Sequence, residues 1–236
     1  MRWFRRPAPT LPEEQRALLE KRLPQYRLLN EALRERFHAR VAEFLARKRF
    51  YGCNDLQITA EMRVLIAGMA CLLILRPEAR VYPRLRSVLL YPTAFWVRHE
   101  EPDDIGVVYE DEVLQVGESQ DWGRVILSWE DAEAALEGDP VNVPAHEFAH
   151  QLDDENPGSA GAPRLADYSQ WSQVMTSAYD TLRRKGSPVL DDYGTEGPAE
   201  FFAVATEAYF QSGRALKKHH PALYGLLHDF YLVDTA

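Results

Sequence analysis

The sequence predicts an α+β fold, mostly helical, with a small and mostly antiparallel sheet. Three observations carry this reading. From Leu11 to Phe50, apolar residues recur at helical spacing between paired charges. The run ITAEMRVLIAGMACLLILR is apolar on nearly every side, as a helix enclosed by others is. Between Val81 and Trp129, the segments VYPRLRSVLLYP, TAFWVRH, IGVVYEDEVLQVGE and GRVILSW are short and rich in β-branched and aromatic residues, with Pro, Asp and Gly between them.

Each element has a local reason. The first stretch divides into two helices near Pro24, whose ring cannot sit inside a helix. Thr59 is placed to cap the apolar helix that follows it. Ser128 with Asp131 three residues on opens a short helix through Leu136 in the manner of a capping box. Pro144 fits the first turn of the next helix, where a backbone N–H has no intrahelical use. The loop DDENPGSAGAPR ends that helix, and further helices are expected at Tyr168–Lys185, Pro198–Gln211 and His220–Tyr231. Residues 1–10 read as a basic tail and residues 11–236 as one domain. Its helical N-terminal part covers about 11–80, and the sheet and site-bearing helices cover about 81–236.

Composition narrows the function. A chain of 236 residues, 46% hydrophobic, can bury a core without staples. Cys53 and Cys71 are too few for a disulfide framework and form no C-x-x-C pair, which fits a reducing cytoplasm. The basic N-terminus runs into charged residues and not into the apolar stretch of a signal peptide. The longest apolar run, Val64 to Leu75, falls well short of the roughly 20 residues that span a bilayer, so no membrane segment is expected. A net charge of −9 argues against direct nucleic-acid binding. The clusters Arg2/Arg5/Arg6 and Lys217 to His220 read as a solvated tail and a solvated helix end.

The chemistry lies in VPAHEFAHQLDDENP. His146, Glu147 and His150 spell H-E-x-x-H, and residues four apart share a helix face, so both imidazoles can reach one ion. Glu147 points roughly 100° away from His146 around the helix, the offset of a general base that is not itself a ligand. The competing reading is an amphipathic helix with two solvated or hydrogen-bonded histidines. Phe148, Ala149 and Leu152 weigh against it, because they give the helix an apolar side to pack. A catalytic zinc takes three protein ligands. The metzincin extension would need Gly and His where Asp153 and Asn156 stand. The third ligand is then a later carboxylate, and PAEFFAVATEAYF offers Glu200 and Glu207, seven apart on one face, which spacing alone does not separate. Asp153 lies on the face of His146 and is either a residue that orients a ligand imidazole or a surface carboxylate. A closed structural zinc site is the weaker alternative, since only His219, His220 and His228 remain as spare donors, and these read as surface residues.

HEFAHQLD, ITAEMRVLIAGMACL, YPTAFW, GESQDWGRVILSW and YGTEGPAEFFAVATEAYF followed by HPALYGLLHDFY resemble the Mlc titration factor A family of bacterial zinc peptidases, in order and spacing from about Leu11 onward. That family resembles the anthrax lethal factor protease domain around its metal. The resemblance implies a gluzincin-like metallopeptidase holding one zinc ion through His146, His150 and Glu200, with Glu147 as general base and Tyr193 as an active-site phenol. It implies peptide or protein substrates, with small aminopeptidase-type substrates among them. It also implies an alternative role, in which the protein binds and sequesters a transcriptional repressor of the Mlc type. For the peptidase, the strand VILSW, Val125 to Trp129, is expected to line the cleft and pair with substrate by strand addition.

Overall fold

The computed structural model describes residues 9–93, 95–99, 111–115, 117–120, 123–156, 158 and 160–236. Residues 1–8 of the basic tail and the IGVVYE part of the third strand segment lie outside the described residues.

The N-terminal charged stretch forms α1 (Glu13–Arg22), a 3-10 turn at Pro24–Leu28 and α2 (Glu31–Arg47). Pro24 opens the 3-10 turn and separates the two helices, as its missing N–H requires. The end of this stretch departs from the expected helix, because Arg49–Gly52 forms a strand, β1. The apolar run forms α3 (Ala60–Leu72), where the Thr59 hydroxyl accepts from the Met62 N–H. Every residue of α3 from Val64 to Leu72 is buried. At Gly68 a Cβ would lie 2.5 Å from Leu19 Cδ2, so the missing side chain lets α1 lie close against α3.

The strands are β2 (Ser87–Tyr91), β3 (Phe95–His99), β4 (Asp111–Gln115), β5 (Gly117–Gln120) and β6 (Arg124–Ser128). The expected mostly antiparallel sheet is corrected here. The main sheet runs β1-β2-β6-β5, and β1, β2 and β6 are mutually parallel, with Phe50 opposite Val88 and Val88 opposite Val125. Only β5 joins it antiparallel, while β3 and β4 pair antiparallel apart from it. The physical reason is burial. Val88, Leu90, Val125 and Leu127 are fully enclosed and Ile126 nearly so, and strands buried on both faces read as continuous apolar runs typical of parallel pairing. The crossover such pairing needs is supplied by α3, between β1 and β2.

The remaining helices are α4 (Trp129–Glu137), α5 (Val143–Asp153), α6 (Ser169–Lys185), α7 (Pro198–Gln211), α8 (Gly213–His219) and α9 (Pro221–Tyr231). Ser128 caps α4 through the Asp131 N–H, and Pro144 occupies the first turn of α5. The basic Lys217 to His219 segment forms the last turn of α8, favourable at the negative end of a helix dipole. One apolar cluster runs from Leu11 to Val233. Within it α5 packs along α7, touches α3 and α4, and lies beside β5 and β6.

Candidate metal centre

Helix α5 is almost entirely enclosed. Val143, Pro144, Ala145, Glu147, Phe148, Ala149, Gln151 and Leu152 are buried, and Phe148 stacks edge-on against Phe44 and packs on Tyr82. The two histidines are partly open, as is Asp153 at the end of the helix, and both imidazoles meet the Glu200 carboxylate of α7. An amphipathic surface helix with solvated imidazoles is therefore not what this segment is.

Three ligand-type atoms from two distant segments meet in this opening. His146 Nε2 lies 3.1 Å from Glu200 Oε2 and 3.1 Å from His150 Nε2, and His150 Nε2 lies 3.3 Å from the same carboxylate oxygen. Ligands held at zinc's bond lengths in a tetrahedron stand about 3.3 Å apart along each edge. The triangle fits one face of such a tetrahedron, and the donor set of two imidazoles and one carboxylate is that of a catalytic site. Among the described residues, these three form the group that could hold a metal ion.

Glu207 has a role that sequence spacing did not separate from that of Glu200. Its Oε1 accepts from His146 Nδ1 at 2.7 Å and its Oε2 accepts from the Asn142 N–H at 2.7 Å. Asn142 in turn caps α5, its side chain accepting from the Ala145 N–H. One carboxylate thus fixes the start of the helix and the ring of its first histidine. With Nδ1 committed to Glu207, Nε2 is the nitrogen turned to the centre.

The electrostatics favour a cation here. Burial works against a charged His146, but hydrogen bonds to Glu200 and Glu207 outweigh it and raise its pKa to about 10. Burial likewise pushes Glu200 up, and the hydrogen bonds from His146 and His150 overcome this and hold it at about 2. The carboxylate is ionised and already organised around positive charge.

Glu147 is 4% exposed, and its charge acts on both His146 and Tyr193. Tyr193 sits in a 3-10 turn, Asp192–Thr195, anchored where the Asp191 carboxylate accepts from the Tyr193 N–H. Its ring lies 6.0 Å from the His146 ring and is 54% exposed, so it stands at the mouth of the site. Partial burial, with the charges of Glu200, Glu147 and Glu196, pushes its phenol pKa up and keeps it protonated.

Asp153 is not at the metal cluster in this arrangement. Its Oδ1 accepts from the Ala162 N–H at 2.8 Å, and it fastens the loop that follows α5. Of the spare histidines, His220 is partly buried against Ser187 Oγ at 2.8 Å, so it is not a surface residue as expected. The strand VILSW is also repositioned, because β6 lies between β2 and β5 with both edges paired. The edge strand alongside α5 is β5.

An H-E-x-x-H helix completed by a glutamate from a later helix defines a metallohydrolase type of centre on a largely helical frame. The chain belongs to the glucose-regulated metallo-peptidase M90 family, whose model matches residues 2–232. It is 40% identical over 241 residues to the uncharacterised protein slr2042 of Synechocystis sp., covering 98% of this chain and 86% of the relative. It is 32% identical to Mlc titration factor A of Pectobacterium atrosepticum, over 87% of this chain and 81% of that protein. The Mlc titration factor A of Yersinia pestis is 31% identical over 87% and 80%.

Proposed function

We propose that the protein is a zinc-dependent peptidase in which Glu147 is the general base. The observation that carries this reading is the His146–His150–Glu200 triangle, with edges of 3.1, 3.1 and 3.3 Å, beside a buried glutamate. His146, His150 and Glu200 would hold one zinc ion per chain, which when bound supplies Lewis-acid activation of a water and of the substrate carbonyl. Glu147 takes the proton of the attacking water and passes it to the leaving amine. Tyr193, kept protonated, donates a hydrogen bond to the oxyanion that develops on the substrate carbonyl. Glu207 keeps the His146 ring in the productive orientation. An extended peptide adds to the edge of β5 that is unpaired among the described residues and so lies along α5.

Glu147→Gln tests the assignment. The variant should fold, retain zinc by elemental analysis and lose hydrolysis of a fluorogenic peptide library, small aminopeptidase substrates included, by about 100-fold or more. A variant as active as the parent would remove Glu147 from the mechanism.

A second reading rests on the relatives named Mlc titration factor A. In it, the protein binds a repressor of the Mlc type in the cytoplasm, a placement with which its free thiols Cys53 and Cys71 agree. Binding of that kind should survive Glu147→Gln in a pull-down, whereas peptidase activity should not.

A further inference from the structure

Behind the metal-bearing helix the chain encloses a cavity of about 500 Å³ that has no part in the chemistry above. Its walls come from the segment after α3, the end of α5 and the loop before α6. None of His146, His150 and Glu200 lines it. In a chain of net charge −9, its polar lining is dominated by three guanidinium groups, Arg76, Arg80 and Arg164, against the carboxylates Glu78 and Glu155.

These charges are not internally balanced. Arg76 is the built part of the site. Its guanidinium lies 4.1 Å over the Phe230 ring, donates to the Arg164 carbonyl at 3.4 Å and stands 3.4 Å from Glu78. Glu155 faces all three guanidinium groups, whose charges act on its carboxyl against the larger effect of burial, and three arginines against two glutamates leave the lining one positive charge in excess. Glu155 Oε1 is buried without a hydrogen-bond partner among the described residues, and burial pushes its carboxyl pKa up. Arg80 and Arg164 are exposed at the rim, and among the described residues neither makes an ion pair within 4 Å. The rest of the lining includes Leu73, Ile74, Leu152 and Leu165, an apolar wall facing the cations.

A concave apolar wall, one guanidinium held by stacking and by Glu78, and two more at the rim that make no ion pair among the described residues form a receptor for an anion with a hydrocarbon body. We propose that this cavity binds a small organic anion, its carboxylate or phosphate headgroup held by Arg76, Arg80 and Arg164 and its body against the leucine wall. The volume suits a small metabolite and is too small for a folded partner. The loop that supplies Arg164 also carries Gly161, whose backbone rests against the Pro198 carbonyl at the start of the helix bearing Glu200.

The experiment is calorimetry on the intact, metal-loaded chain, with inorganic phosphate and succinate titrated separately at constant ionic strength. At least one probe should bind with one-to-one stoichiometry, and which one binds identifies the headgroup. Arg80→Ala and Arg164→Ala should each weaken that binding about tenfold or more, because each removes a charge-assisted contact. Arg214→Ala, an exposed arginine on α8 away from the cavity, changes net charge equally and should leave affinity unaltered. No saturable heat with either probe would overturn the proposal, as would binding that survives both rim substitutions. Peptidase activity is not the readout, so failure of the catalytic assignment would leave this test intact.

Discussion

Glu207 acts on one edge of the imidazole whose other edge Glu200 meets, and this explains why spacing could not rank the two. Seven residues apart on α7, they lie on one face about two turns apart, and both turn toward α5. The distinction is a matter of which ring nitrogen each reaches, and that depends on how two helices cross. His146, Glu147 and His150 were legible because their relation is set within one helix. Tyr193, whose ring lies 6.0 Å from that of His146, was a candidate only through resemblance, since a loop tyrosine has no periodicity to read. The role of Glu207 predicts that Glu207→Ala lowers metal affinity by about 10- to 100-fold, as loss of a ligand's orienting partner does. Glu207→Gln, which keeps an acceptor for Nδ1, should lose less. Chelator competition measures both, and unchanged affinity in the alanine variant would reduce Glu207 to a clamp on the helix start.

Among the elements, helices were read closely from periodicity and caps, whereas the sheet was read with the wrong sense. SVLLY and RVILS are apolar at successive positions, the mark of strands covered on both faces, but short length and nearby turn residues suggested a mostly antiparallel sheet. β1 was hidden because RFYG closes a charged, helix-like stretch and is largely exposed at the sheet edge. The sheet order matters for function, since it leaves β5 and not β6 as the edge that a peptide could join. Substrate peptides N-methylated at alternate backbone nitrogens should be cleaved about tenfold or more slowly than their parents when the blocked N–H faces β5, with a rise in KM. Equal rates for the whole methylated series would exclude strand addition. The loop between α5 and α6 makes a separate prediction. Gly161 has φ +75°, and a Cβ there would lie 2.3 Å from the Pro198 carbonyl oxygen, whereas Gly158 has φ +105° and a Cβ there would meet nothing within 4 Å among the described residues. Gly161→Ala should cost about 1–3 kcal/mol in stability and weaken metal binding through Glu200. Gly158→Ala should show the backbone strain alone, so equal effects of the two in denaturant unfolding would discount the contact.

At the scale of the whole molecule, the buried lysine is the least expected feature of the core. Lys48 follows α2, is 6% exposed, and donates to the carbonyls of Tyr82 at 2.6 Å and Leu85 at 2.7 Å, tying the helical part to the approach to β2. A lysine among charged neighbours in ARKRF gave no sign of burial, because the carbonyls that receive it belong to a segment more than thirty residues further along the chain. Burial is the main cause that lowers its pKa from the usual 10.5 to about 8, with Arg47 adding to the effect. The folded chain therefore releases this proton earlier than the unfolded chain does. Below about pH 8 both states hold it, and the penalty of a buried ammonium is fully present. Between about pH 8 and pH 10.5 the unfolded state binds more protons, so raising the pH stabilises the fold. Lys48→Met removes the titration and leaves two carbonyls without their donor, a cost independent of pH. The unfolding free energy of the parent minus that of Lys48→Met should thus rise by about 2 kcal/mol between about pH 7 and pH 10 in urea titrations. Buried tyrosines such as Tyr231 and Tyr209, whose pKa values burial raises, act in the opposite sense but are common to both proteins and cancel in the difference. A difference that stays flat across this range would mean that Lys48 keeps the titration of a solvated lysine, and that its two carbonyl contacts offset the burial in full.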